Sequence, residues 1–296
     1  MTTTSPAPVP LRPGSEGACV EVDLLPCGHS LAPPGWFYRQ DAGGSWRRAL
    51  GIGVPKEQWL RSPIGAFLVR HPSVGPFLID TGLHADAATN LRKDFGVINA
   101  FAFSTLRMRP ENAVAAQLPD RGVQPGDIDL VVMTHLHVDH TSGMRDFPTA
   151  EFVCSEEEWR ATRGRGAVLR GYVAHHLPDA GRMRTLSFQG AAGHGPFSRT
   201  LDLFGDGSVR LVFTPGHTLG HLAVLVRLRG GEALLAGDAI YTRRNLTESL
   251  ISWRTADDAQ FMSSLQELRG YAAENPDVPI VPTHDAGVWD ALSELR

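Results

Sequence analysis

The chain has few cysteines, no long apolar run and no excess of positive charge, and each shortage removes a class of protein. Its three cysteines, Cys19, Cys27 and Cys154, are odd in number and far apart. That is not a disulfide framework, and it fits a reducing compartment, so a cytoplasmic location is the expectation. No stretch approaches the roughly 20 apolar residues of a membrane span. The formal net charge of −4 gives no global attraction to nucleic acid or to an anionic membrane. Arg160, Arg163, Arg165 and Arg170 form a local basic cluster beside Glu156, Glu157 and Glu158, which reads as a solvated helix end and loop. The N-terminal ten residues lack both the positive start and the apolar core of a secretory signal. Residues 1–18 are therefore expected to be a disordered leader, and residues 19–296 one domain. With 296 residues and 42% hydrophobic content, the chain can bury a sizeable core.

What the chain does carry is a dense run of imidazoles. Ile128 to Met133 has the length and β-branched content of a buried strand. It delivers Thr134-His135-Leu136-His137-Val138-Asp139-His140-Thr141-Ser142-Gly143 to a loop. Positions two apart on an extended segment point the same way, so His135 and His137 converge on one ion, while the turn directs Asp139 and His140 towards another. Two adjacent cations are the expectation. Three histidines in six positions, with an aspartate and a closing glycine, depart from ordinary surface-loop composition.

The same arrangement recurs along the chain. Apolar strands end in turns bearing His or Asp after Met133, Phe213, Ala236 and Pro282, supplying His217 and His221, then Asp238, then His284. Strand ends that share one edge of a sheet scaffold assemble one polar site. Two short strands over 66–70 and 76–80 form a hairpin, and Asp80-Thr81-Gly82 follows. Asp80 either closes a local turn or supports ligand histidines from behind. Segment 33–61 is irregular and rich in aromatics, which anchor a long loop, wall an apolar pocket or form homodimer contacts. Residues 97–103 read as a second apolar loop. Spacing assigns no ligand role to His175, His176 or His194, which are expected to be exposed or lightly packed. Cys154 reads as a small buried apolar residue. A helix carrying Phe261, Leu265 and Leu268 faces the core, and a last helix closes the chain. Strands and helices in two rough halves suggest two packed sheets with helices outside, an α+β architecture.

From Cys19 to the end, Asp80, His135-x-His137-x-Asp139-His140, His217, Asp238 and His284 together resemble the metallo-β-lactamase superfamily. The resemblance implies an αβ/βα sandwich with a dinuclear centre at one edge. It implies that His135, His137 and His217 hold one metal, that Asp139, His140 and His284 hold the other, and that Asp238 bridges them. Asp80 would stand behind the ligands, and His221 beside them without ligating. The absence of cysteine at the Asp238 position argues against β-lactam hydrolysis. The run Asp238-Ala239-Ile240-Tyr241 resembles the N-acyl-homoserine lactonases, in which a tyrosine at the Tyr241 position reaches the substrate carbonyl; its alternative is a packed aromatic. By that resemblance two divalent metals, zinc first and iron, cobalt or manganese as substitutes, would serve a small-molecule lactone substrate, with Asp139 as general acid. Rivals are a lactonase for another small lactone, a thioesterase resembling glyoxalase II, and a phosphodiesterase. The thioesterase normally carries a basic C-terminal extension and the phosphodiesterase a basic RNA-binding surface, and neither is visible. An inert binding scaffold would have lost ligands, and all seven positions are filled.

Overall fold

The computed structural model describes residues 9–296. Among the described residues there are twelve strands: β1 (Glu21–Ala32), β2 (Leu60–His71), β3 (Gly75–Ile79), β4 (Leu130–Val132), β5 (Glu151–Ser155), β6 (Met183–Leu186), β7 (Thr200–Asp202), β8 (Val209–Phe213), β9 (Leu222–Leu228), β10 (Gly231–Gly237), β11 (Ile280–Pro282) and β12 (Glu294–Leu295). They form a seven-stranded sheet ordered β12-β1-β2-β3-β4-β5-β6 and a five-stranded sheet ordered β11-β10-β9-β8-β7.

Strand alternation explains the layering. In β2, Phe67 and Val69 turn inward, towards Leu211, Phe213, Leu222 and Val224 of the other sheet. Their neighbours Ala66 and Leu68 turn outward, where Phe95 of the helix Leu91–Ala102 and Leu118 cover them. On the far side, Val212, Ala223 and Leu234 pack under Phe261, Leu265 and Leu268 of the helix Asp258–Glu274. Both faces of each sheet are thus buried, so the strands read as continuous apolar runs and not as alternating ones. The expected α+β sandwich, with helices outside two sheets, is what forms.

The site end of the sandwich follows from strand direction. β3 and β4 are parallel, as are β10 and β11. Parallel neighbours end together, which sets Asp80 beside Thr134 and Asp238 beside Thr283-His284. The 66–70/76–80 hairpin and the central strand stand as expected.

Three expectations change. Residues 9–18 are not loose: Leu11 N–H donates to the Leu203 carbonyl (2.9 Å) and Gly14 N–H to that of Phe204 (2.8 Å). Val9 and Leu11 pack on the inter-sheet core, so apolar side chains in a Pro-rich stretch hold it to the domain; residues 1–8 lie outside the described residues. Residues 97–103 are largely helical, within Leu91–Ala102, which Asn90 caps and which breaks at Gly96 (φ 73°). The helix was hidden because Gly96 interrupts it and because Val97 (73%) and Phe101 (83%) face solvent, so apolar positions do not mark its buried face. The final helix, Ala286–Ala291, is followed by β12, which pairs with β1. Among the described residues, no helix is long and apolar enough to cross a membrane.

Candidate metal centre

The predicted ligands stand in the segments that follow β4, β8, β10 and β11, Asp139 and His140 on the short helix Val138–Thr141, and the structure brings all seven together. His135, His137 and His217 place ligand atoms within 4.8 Å of one another, and so do Asp139, His140 and His284. A third such group, His135, His140 and Asp238, joins the two. Asp238 reaches both sides: one carboxylate oxygen is 3.4 Å from His217 Nε2 and 3.2 Å from His284 Nε2, and the other is 3.5 Å from His140 Nε2. All seven side chains are buried.

Hydrogen bonds on the far ring nitrogens orient these rings. His140 Nδ1 donates to Asp80 (2.8 Å), His284 Nδ1 to the Pro63 carbonyl (2.7 Å), and His217 Nδ1 to the Arg254 carbonyl (3.2 Å). In each, Nε2 is left facing the centre, which is how metal-ligating histidines are commonly held. Asp80 also accepts from the Thr134 N–H (2.8 Å) and hydroxyl (2.7 Å). Its φ of 59° is a left-handed conformation that a non-glycine residue adopts at a cost. Of the two readings of Asp80, support behind the ligands is the one this geometry matches. His221 differs from its neighbours: its Nε2 accepts from the Asp238 N–H (2.9 Å) and its Nδ1 meets the Thr214 hydroxyl (2.8 Å). With both nitrogens engaged, it fixes the backbone of Asp238 and offers no ligand atom. The closing Gly143 is required because a Cβ there would lie 2.3 Å from the Thr81 carbonyl oxygen.

The donor set fits cations. His135 Nε2, His140 Nε2 and one Asp238 oxygen are buried without a hydrogen-bond partner, an arrangement that costs free energy unless something else satisfies them. Burial holds His135 and His137 well below the usual imidazole range, and lowers His217 to about 4, so these rings are neutral donors at pH 7. Burial alone would also depress His140 and His284, but the carboxylates outweigh it: Asp80, Asp238 and Asp139 raise His140, and Asp238 and Asp139 raise His284. That side of the centre attracts positive charge, which a divalent ion supplies more fully than a proton.

Tyr241 lies against the centre. Its ring stands edge-on to His217 and His284, with centroids 5.5 and 5.0 Å away, and Phe37 closes its outer side at 6.0 Å. Phe37 and Tyr38 therefore anchor the 33–61 segment here, whereas Trp46 and Leu50 of the same segment are exposed.

His175 remains exposed, but His176 is buried, which corrects the expectation for it. Both Nε2 atoms donate to the Asp94 carbonyl oxygen (2.7 and 2.9 Å), and His176 Nδ1 meets the Thr141 hydroxyl (3.1 Å). The Asp94 carboxylate accepts from Arg145 (2.7 Å) and Ser142, so this group of possible ligands is already saturated by hydrogen bonds. It ties the helix Leu91–Ala102 to the end of the histidine motif. Burial would raise the Asp94 carboxyl, but His176, Ser142 and Arg145 outweigh it and hold it below the usual value. A depressed carboxyl contributes stability that is present above the unfolded value, near pH 4, and is lost as pH falls through the folded one. Asp94→Asn, which breaks a buried charge pair, should cost about 3 kcal/mol at pH 7. Urea unfolding should show the gap from wild type narrowing below about pH 4; a gap independent of pH would assign the cost to packing.

Arg254 and Pro63, which act through backbone carbonyls, leave no signal in the sequence, and neither does Asp94, whose partners lie far along the chain. Glu158 is masked by its glutamate run, although Ser155-x-x-Glu158 has the form of a capping box.

Comparison with known proteins agrees with this geometry. A model of the metallo-beta-lactamase superfamily matches residues 62–284. The chain belongs to that superfamily. Its relatives include an N-acyl homoserine lactonase of Azorhizobium caulinodans, 31% identical over 78% of this chain and 85% of the relative. A Bacillus cereus N-acyl homoserine lactonase is 27% identical over 71% of this chain and 76% of the relative. A solved N-acyl homoserine lactone hydrolase, with the product N-hexanoyl-L-homoserine at its catalytic metal centre, superimposes with a TM-score of 0.70. That match is 20% identical and covers 92% of this chain and 96% of the other, so it speaks for the superfamily fold.

Proposed function

We propose that this metallo-β-lactamase superfamily member is a dinuclear metallohydrolase that opens the lactone ring of N-acyl-homoserine lactones. The observation that carries the reading is the seven-residue centre with Tyr241 against it, in a chain about one-third identical to N-acyl homoserine lactonases over most of its length. His135, His137 and His217 would hold one metal, Asp139, His140 and His284 would hold the other, and Asp238, which stands between the two sets, would serve both. Zinc is proposed first, and iron, cobalt or manganese suit the same donors. When bound, the metals supply water acidified towards neutrality and polarisation of an ester carbonyl.

The chain's own groups do the rest. Burial and the neighbouring Asp238 raise the Tyr241 hydroxyl well above its usual range, so it stays protonated and donates to the carbonyl oxygen as negative charge develops there. Asp139, in the second ligand set, takes the proton that the attacking water gives up and passes it to the departing alkoxide, releasing the ring-opened hydroxy acid. Burial would raise the Asp238 carboxyl, but His284 and His140 outweigh it and keep it anionic across the working range. The low cysteine content supports a cytoplasmic location.

The test is turnover of short- and long-chain acyl-homoserine lactones by metal-replete protein, with a thioester, a phosphodiester and nitrocefin alongside. Lactone turnover alone is the expected result. Preferential turnover of the thioester or phosphodiester would keep the centre and overturn the substrate. Dialysis against a chelator should abolish activity, and about two equivalents of zinc per chain should restore it.

A further inference from the structure

Glu158 is a buried carboxylate that the proposed chemistry does not use. It opens the short helix Glu156–Ala161, directly after β5, and is fully buried. Its Oε1 accepts the Leu136 N–H at 2.9 Å. Leu136 is the residue between His135 and His137, so this one bond fixes the backbone from which two ligands project. The same turn grips the third ligand's loop. Ser155 Oγ accepts the Glu158 N–H (3.1 Å) and donates to the Gly220 carbonyl (2.6 Å), within the His217–His221 turn. A Cβ on Gly220 would lie 2.2 Å from both Glu158 N and Ser155 Oγ, so the loops meet backbone to backbone.

Two more side chains lie near the carboxylate. Thr218, next to His217, and Tyr172 offset part of the rise that burial imposes on it, while its Oε2 and the Thr218 hydroxyl make no hydrogen bond. The Tyr172 ring packs against His137, with centroids 5.3 Å apart, and Gly171 accepts the Val138 N–H at 3.0 Å. Every contact of Glu158 thus leads to the loops bearing His135, His137 and His217. Asp139, His140 and His284 hang from Asp80, Pro63 and the Asp94 network instead.

We propose that Glu158 is a positioning residue for the three-histidine half of the centre, setting the affinity of that half for its metal while leaving the other half alone. It touches neither metal nor substrate, and it acts through Leu136 N–H and, with Ser155, through the 217–221 turn. The inference rests on the ligand assignment above.

The test is zinc affinity, read by competition with a chromophoric chelator, in wild type, Glu158→Ala, Glu158→Gln and Ser155→Ala. Ser208→Ala serves as a control, since it removes a buried hydrogen bond to His71 (3.0 Å) at the opposite end of the sandwich. In Glu158→Ala one of two zinc equivalents should bind about 10- to 100-fold more weakly, the range seen when support behind a ligand is lost. The other equivalent should stay within about threefold, and Glu158→Gln, which keeps the acceptor for Leu136, should restore most of the loss. Ser155→Ala should weaken the same equivalent, and it carries the test if Glu158→Ala does not fold. Ser208→Ala should lower the Tm of the metal-free protein without changing either affinity. Unchanged affinities in the folded variants, or equal weakening of both equivalents, would overturn the inference. A wild type that binds fewer than two equivalents would instead overturn the ligand assignment and the inference with it.

Discussion

Asp238→Ala abolishes lactone hydrolysis, lowering kcat/KM by more than about a thousandfold, beyond what loss of one oxyanion donor costs. The expectation follows from the position of its carboxylate between the two ligand sets, within 3.5 Å of His140, His217 and His284. Without it, the three-histidine set faces a set whose one remaining carboxylate is Asp139, no anion reaches both sets, and neither half keeps its full charge complement. Metal content should fall below two equivalents per chain with the activity. Zinc analysis beside steady-state kinetics checks this, and a variant retaining two metals and more than a tenth of the activity would contradict the bridging assignment. His221→Ala separates ligation from support. It removes the acceptor for the Asp238 N–H, so its metal affinity should weaken while its stoichiometry stays at two.

Tyr241→Phe lowers kcat by about a hundredfold with little change in KM, because a donor matched to a developing oxyanion acts on the transition state and not on the ground state. Metal content should be unchanged, since the Tyr241 hydroxyl lies 3.5 Å from His217 Nδ1, a nitrogen turned away from the centre towards Arg254. The ring's packing against Phe37, His217 and His284 survives in phenylalanine, so the metal-free Tm should move little. Burial and Asp238 raise the hydroxyl pKa. The protonated donor form is therefore present below that pKa and lost only above it, so Tyr241 adds no basic limb to the rate profile below about pH 10. Unchanged kcat in Tyr241→Phe would make the residue a packed aromatic and nothing more.

How much of this could be read from the chain depends on the length scale of each interaction. The proposed ligands, which the structure brings together, were legible because each follows an apolar strand and brings a glycine or proline with it, and the order of Asp80, the histidine motif, His217, Asp238 and His284 is itself specific. The two-sheet architecture was legible from strands and helices falling in two rough halves. The helix Leu91–Ala102 was not, because it breaks at Gly96 and because Val97, Ile98 and Phe101 are exposed, so apolar positions do not mark its buried face. Residues 9–18 looked disordered by composition, yet two backbone hydrogen bonds to Leu203 and Phe204 hold them. The burial of His176 and the grip of Glu158 on Leu136 depend on pairings 82 and 22 residues apart, which no local pattern announces.

The most direct measurement is conversion of N-hexanoyl-homoserine lactone by zinc-replete protein in heavy-oxygen water, with the product analysed by mass spectrometry. The account predicts one labelled oxygen in the new carboxylate, since water attacks the carbonyl, and no conversion by His137→Ala. Label on the hydroxyl, or a lactone left intact while wild-type protein carries two metals, would contradict it.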